Sequence, residues 1–205
     1  IYGDKKMIKN VIFDVGMVLV DFRWKALMKD LGFSDETAAI LGKELVMSPL
    51  WNELDLGIQK EEEVIAKMRQ NLPGFDRETQ LFFDNLVDIV ESYPYAKGWI
   101  HELKEAGRKV YLLSNYPKSL FEKHEKEKFD FLEEVDGKVV SGFVKMAKPD
   151  PAIYKKLLEP CGLNPEECVF LDDREDNIRA AEALGIRGIL FTDYETARHK
   201  LEELL

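Results

Sequence analysis

Apolar positions along this chain fall into two kinds of run. Residues 8–15, Ile-Lys-Asn-Val-Ile-Phe-Asp-Val, are short, branched and nearly unbroken in apolar character, the pattern of a strand covered on both faces in a parallel sheet. Residues 109–113, 168–171 and 188–191 repeat it. Each run ends on polar or turn residues: Asp14, then Ser114-Asn115, Asp172-Asp173 and Thr192-Asp193. Between them the apolar spacing changes to three and four. Residues 95–106 carry Trp99, Ile100 and Leu103, and residues 176–184 carry Ile178, Ala181 and Leu184, so both are predicted helices, stopped by Gly107 and Gly185. This alternation implies right-handed crossovers and an α/β fold built on a doubly wound parallel sheet. Such sheets bind ligands outside the carboxyl ends of their strands, which makes the polar residues gathered there candidates for one shared site.

Residues 24–93 break the pattern. They hold no buried-strand run, and helix formers dominate over 25–31, 36–46, 60–70 and 78–90, punctuated by Gly32, Ser48-Pro49 and Pro73-Gly74. A bare loop of that length is improbable inside a compact domain. The expected division is therefore an α/β core domain over residues 7–22 and 94–205, with a helical cap domain over 23–93.

The balance of 29 basic against 39 acidic residues, a formal net charge of -10, argues against a general nucleic-acid or membrane surface, since both are anionic. Cys161 and Cys168 have no metal-like partner set beside them and read as plain thiols. No apolar run approaches the roughly 18–20 residues needed to span a bilayer, and residues 1–6 do not read as a secretory signal. A cytoplasmic location is the default expectation. Met7, directly before the first strand, leaves an internal start open.

Four segments carry the chemistry. Val11-Ile12-Phe13-Asp14-Val15-Gly16-Met17-Val18-Leu19 gives a strand, an aspartate and a tight turn; then come Leu113-Ser114-Asn115, Lys148-Pro149-Asp150-Pro151, and Leu171-Asp172-Asp173 with Asp176-Asn177 behind it. Taken singly, each has an ordinary reading. A strand-end aspartate is usually a turn or cap residue, Ser-Asn a turn pair, and Asp-Asp a helix-start device. Together, and in this order, they resemble the motif set of the haloacid dehalogenase superfamily, in particular the capped phosphatases that include glucose-1-phosphatase-like proteins.

That resemblance implies a Rossmann-like core with an inserted helical cap, and a Mg2+-dependent phosphatase for a small organic phosphate, a sugar phosphate first among them. It implies catalytic roles for Asp14 and Lys148, substrate binding by Ser114, Asn115 and Lys148, and metal binding by Asp14, Gly16, Asp172 and Asp173. The residue types suit the work. A carboxylate nucleophile divides one hard displacement into two through an aspartyl-phosphate. A hard cation held by one or two carboxylates offsets phosphoryl charge, with the Gly16 carbonyl as a further ligand and Asp172 bound directly or through water. The Ser114 hydroxyl and the Asn115 amide suit a phosphate oxygen, and Lys148 adds a positive point charge. The expected partner is a small phosphorylated metabolite, and the expected state a monomer or simple homodimer.

Other residues have structural readings. Asp150 before Pro151 reads as a helix N-cap. Asp176 is either a cap or an outer acidic group of the metal site, and Asp21 belongs to its own loop. His101, His124 and His199 fall in charged helical stretches and read as surface residues, as does the charged face over 122–128. Arg23, Trp24, Trp51, Asn52, Asp55 and Tyr116 are offered as substrate contacts, although a helical tryptophan such as Trp51 is more often core. A lid of this size favours a small substrate over a phosphoprotein.

Gly16 departs from the family pattern. Most phosphatases of the superfamily carry there a second aspartate that protonates the leaving oxygen. Three explanations stand open. The first is a phosphatase whose leaving group needs little protonation, such as an anomeric or acyl phosphate, with water or another carboxylate moving the proton. The second is a metal-independent haloacid dehalogenase, for which the Asp172-Asp173 pair would be an odd concentration of negative charge. The third is a non-catalytic member that binds a phosphorylated ligand or a protein.

Overall fold

The computed structural model describes residues 6–205. Residues 1–5, and with them most of the segment read as not being a secretory signal, lie outside the described residues. The strands are β1 (Asn10–Phe13), β2 (Val20–Phe22), β3 (Val90–Ser92), β4 (Lys109–Ser114), β5 (Gly137–Val140), β6 (Cys168–Asp172) and β7 (Arg187–Leu190). Five of them form a parallel sheet in the order β5-β4-β1-β6-β7. Successive side chains leave a strand on opposite faces. Val11 and Phe13 accordingly pack with Val110, Leu112, Val169 and Leu171 on one side, and Ile12 packs with Tyr111, Leu113 and Phe170 on the other. Each central strand thus feeds two cores, which is why its sequence is apolar without alternation.

The helices are α1 (Trp24–Asp30), α2 (Asp35–Leu41), α3 (Pro49–Leu56), α4 (Glu61–Gln70), α5 (Asp76–Asp84), α6 (Ala96–Glu105), α7 (Lys118–Glu127), α8 (Ser141–Val144), α9 (Pro151–Leu158), α10 (Glu175–Glu182) and α11 (Tyr194–Glu202). The expected helices over 95–106 and 176–184 are α6 and α10, followed by Gly107 and Gly185 at φ 75° and 88°, a left-handed conformation open to glycine without a Cβ clash. Asp150 caps α9 as expected, its side chain accepting from the Ala152 amide at 2.9 Å with Pro151 in the first turn.

The helical stretch α1 to α5 enters through β2 and leaves through β3. These pair antiparallel, with Asp21 opposite Glu91, so both connections run side by side. Here the structure corrects the sequence reading. The helix expected over 78–90 stops at Asp84, and a single 3-10 turn (Leu86–Ile89) leads into β3. The helix expected over 36–46 changes to a π-turn at Gly42–Val46, where the Trp24 ring occupies the space of a missing Cβ: one built on Gly42 would lie 2.4 Å from it. Ser48-Pro49, read as punctuation, instead opens α3, since proline is tolerated in a first turn. β5 was not anticipated, being short and half polar. No helix among the described residues is long and apolar enough to cross a membrane. Cys161 and Cys168 are both free thiols, the first exposed and the second buried.

Candidate active site

Three adjacent strands, β4, β1 and β6, end on Ser114, just before Asp14, and on Asp172. The Asp14 amide continues the ladder to the Leu171 carbonyl at 2.9 Å, and its Oδ1 accepts from the Val15 amide at 2.8 Å. Beyond it the chain turns tightly: the Val18, Leu19 and Val20 amides all point at the Val15 carbonyl, and Met17 takes φ 61°. The sheet therefore brings together residues that lie far apart in sequence, Asp14 with Ser114 and with Asp172.

Lys148 joins the strand ends. Its buried ammonium lies 2.9 Å from Asp14 Oδ1 and 2.6 Å from Asp172 Oδ2, and donates to the Leu113 carbonyl at 2.8 Å. Asn115 holds the lysine's backbone: its Nδ2 donates to the Lys148 carbonyl at 2.9 Å and its Oδ1 accepts from the Lys148 amide at 2.8 Å. Asp172 is fixed from the other side by the Arg174 amide at 2.8 Å and by Asn177 Nδ2 at 3.0 Å. Asn177 is itself buried, and its carbonyl accepts from the Tyr154 hydroxyl.

Asp14, Asp172 and Asp173 each present an oxygen within 4.8 Å of the others. Burial raises the Asp14 carboxyl above the usual range against the pull of Lys148. Burial also works against the Lys148 ammonium, but the adjoining Asp14 and Asp172 outweigh it and hold that group above the ordinary lysine range. One ammonium facing three carboxylates leaves the cluster net negative, and crowded carboxylates favour either a proton or a cation. All three donors are hard oxygens, the set a divalent cation such as Mg2+ takes. Ser114, at the end of β4, is buried, and its hydroxyl has no hydrogen-bond partner among the described residues.

A cavity of about 210 Å³ opens above this cluster. Asp14, Gly16, Asn115, Lys148 and Asp173 floor it, with Arg174 and Asn177 at one side. Helix α3 contributes Trp51, Asn52 and Asp55; Met17, Phe22, Tyr116, Pro117 and Leu120 supply further, mostly apolar, wall. A Cβ built on Gly16 would meet nothing within 4 Å. The glycine faces open space.

Of the proposed substrate contacts, Trp51, Asn52, Asp55 and Tyr116 line the cavity, and Trp51 is at the same time 7% exposed, as a core residue would be. Arg23 and Trp24 do not. Arg23 pairs with Asp30 at 2.5 Å and donates to the Asp88 carbonyl, while Trp24 lies on Gly42. Asp176 is not the N-cap of α10: Arg174 holds the cap position, and its guanidinium pairs with Asp176 at 2.9 Å. His124 is not a surface residue. It is fully buried, because it falls on the one face of α7 that packs inward, between Leu120 and Phe121 on one side and Phe129 on the other. Asn177, quoted with the fourth motif, lines the cavity, whereas Phe22, Pro117, Leu120 and Arg174 carry no signal in the sequence beyond their neighbourhood to the motifs.

A family model described as haloacid dehalogenase-like hydrolase matches residues 8–185. The chain belongs to that family. The hydrolase is 26% identical over 205 residues to sesquiterpene phosphatase astK of Aspergillus oryzae, spanning 96% of each chain. It is 25% identical over 171 residues to phosphatase MT3486 of Mycobacterium tuberculosis, spanning 83% of this chain and 71% of that one. Its fold matches a HAD-family enzyme of Bacteroides thetaiotaomicron with a TM-score of 0.76 at 25% identity, covering 96% and 99% of the two chains. That enzyme has also been solved in complex with magnesium and inorganic phosphate.

Proposed function

We propose that this hydrolase is a Mg2+-dependent phosphatase that cleaves a small organic phosphate through an aspartyl-phosphate on Asp14. The observation that carries the reading is the acidic cluster of Asp14, Asp172 and Asp173 beside the buried Lys148 and the unpartnered Ser114 hydroxyl. Asp14, Asp173, the Gly16 carbonyl and, directly or through water, Asp172 would hold the cation, which when bound offsets charge on the phosphoryl oxygens. The Asp14 oxygen not engaged by Val15 attacks phosphorus. Ser114, the Asn115 amide and Lys148 hold the phosphoryl oxygens and stabilise charge as it develops. Residues 23–93 act as a cap whose helices exclude water from the cavity.

Two substrate readings follow from different observations. Gly16 favours a sugar phosphate, because an anomeric oxygen leaves with little proton help. The wall formed by Phe22, Trp51 and Leu120 favours a phosphate ester of an apolar alcohol, and the likeness to a sesquiterpene phosphatase points the same way. Purified protein incubated with p-nitrophenyl phosphate, glucose 1-phosphate and a prenyl monophosphate, with Mg2+ or with EDTA and alongside Asp14→Asn, tests both. Metal-dependent turnover that the substitution abolishes supports the phosphatase reading, and the preferred ester decides between the substrates. Halide release from a haloacid without metal would replace that reading with dehalogenation. Binding of the esters without turnover would replace it with a non-catalytic role.

A further inference from the structure

The first turn supplies no proton donor for the leaving oxygen, since Gly16 has no side chain and faces open space. The same cavity receives a carboxylate from elsewhere. Asp55, near the end of α3, lines it together with Asp14 and Lys148. Its backbone is anchored on the sheet side of the cavity: the Ser141 hydroxyl donates to the Asp55 carbonyl, and Gly57 lies so close to Gly142 that a Cβ on it would come 2.7 Å from the Gly142 carbonyl. Asp14 and Asp172 are engaged by Lys148, whereas no described residue hydrogen-bonds or ion-pairs the Asp55 carboxyl. It is left facing the cavity.

Resting on the phosphatase reading, we propose that Asp55 is the general acid and base of this enzyme, taking over from α3 the proton transfers that the glycine at position 16 cannot perform. As an Asp14 oxygen bonds to phosphorus and the ester P–O bond breaks, the Asp55 carboxyl gives its proton to the leaving oxygen, which departs as an alcohol. In the second step the Asp55 carboxylate takes a proton from water as the water oxygen bonds to phosphorus and the bond to Asp14 breaks. Inorganic phosphate, the Asp14 carboxylate and the protonated Asp55 result. The setting suits both halves of this cycle. Burial lifts the Asp55 carboxyl to about 7 against the pull of Lys148, so near neutral pH it both gives and accepts a proton. The other titratable or charged groups facing the cavity are Asp14, Tyr116, Lys148, Asp173 and Arg174. Each except Asp173 and Tyr116 is ion-paired within the floor or rim, Asp173 belongs to the acidic cluster, and Tyr116 spends its hydroxyl on His124.

The test compares wild type, Asp55→Asn and Asp55→Glu in Mg2+ on p-nitrophenyl phosphate, whose leaving group needs no proton, and on an alkyl phosphate, whose leaving group does. Asp55→Asn is expected to lower kcat on the alkyl ester by about 100-fold or more. With the nitrophenyl ester it is expected to release the first equivalent of nitrophenol at nearly the wild-type rate, then turn over slowly because water is no longer activated. Asp55→Glu is expected to recover part of the alkyl activity. An equal fall on both esters without a burst, or a change confined to KM, would make Asp55 a substrate contact and overturn the proposal. Unchanged kinetics would overturn it too while leaving the phosphatase reading intact. A wild type inactive on every ester would end both.

Discussion

The hydroxyl of Tyr116 lies 2.5 Å from Nδ1 of His124, inside the protein. The other ring nitrogen faces the carbonyls of Leu86 and Val87 at 3.3 and 3.1 Å, which only accept, so Nε2 carries the proton and Nδ1 receives one from the tyrosine. The pair ties the turn that follows α5 to the wall of the cavity that Asp14 floors. It also fixes which way the phenol points.

Burial holds the His124 imidazole neutral, lowering it from 6.5 to about 4 despite the two carbonyls. A group held below its unfolded value binds more protons when unfolded, so its contribution is full above pH 6.5 and is lost as the pH falls toward 4. The loss is on the order of 3 kcal/mol. Urea unfolding at pH 7 and pH 4.5 should show wild type losing more stability between them than His124→Gln does. Equal losses would refute this account of His124.

Lys148 pairs inside the protein with both Asp14 and Asp172, and removing one partner of a buried ion pair typically costs about 3–5 kcal/mol. Lys148→Met should destabilise the metal-free protein by that order. Added Mg2+ should restore more stability to the variant than to wild type, because it replaces the missing positive charge. Denaturant melts with Mg2+ and with EDTA read both effects, and a variant as stable as wild type in EDTA would contradict the geometry.

Open space around Gly16 predicts that Gly16→Asp folds without steric cost, and that Mg2+ restores whatever stability the added carboxylate removes in EDTA. The new carboxyl would stand where family relatives place their proton donor. It should therefore rescue alkyl phosphate turnover in an Asp55→Asn background by roughly tenfold or more. A double variant no better than Asp55→Asn alone would mean that position 16 does not reach the leaving oxygen.

Gly142 is held between elements. A Cβ there would lie 2.5 Å from the Lys118 amide nitrogen and 2.7 Å from the Tyr116 carbonyl, neither of which can swing aside. Gly142→Ala should cost about 1–3 kcal/mol through overpacking. It should also lower kcat, because Gly142 seats the end of α3 and hence Asp55. Unaltered melting temperature and kcat would show that the seat gives way at no cost.

Structure that is local and repetitive is legible in this sequence. The apolar runs at 8–15 and 168–171 became β1 and β6 because a strand buried on both faces has to be apolar throughout. Asp14, Ser114 and Asp172 lie at neighbouring strand ends because the strands of a parallel sheet finish on one edge, and Lys148 reaches them from the loop before α9. β2, β3 and β5 escaped notice because three or four residues are too few to show a period, and their pairing partners lie far along the chain.

Four of the five sheet strands, the order of the motifs and the acidic residues at the strand ends are legible in the sequence alone, since periodicity and strand-end chemistry are written into neighbouring residues. Only the tertiary structure decided that His124 is buried, that Arg23 and Trp24 turn away, and that Asp55 faces the cavity floored by Asp14. Those outcomes depend on which face of one helix meets which face of another. Contacts between segments distant in sequence are set by packing, and no local pattern encodes them.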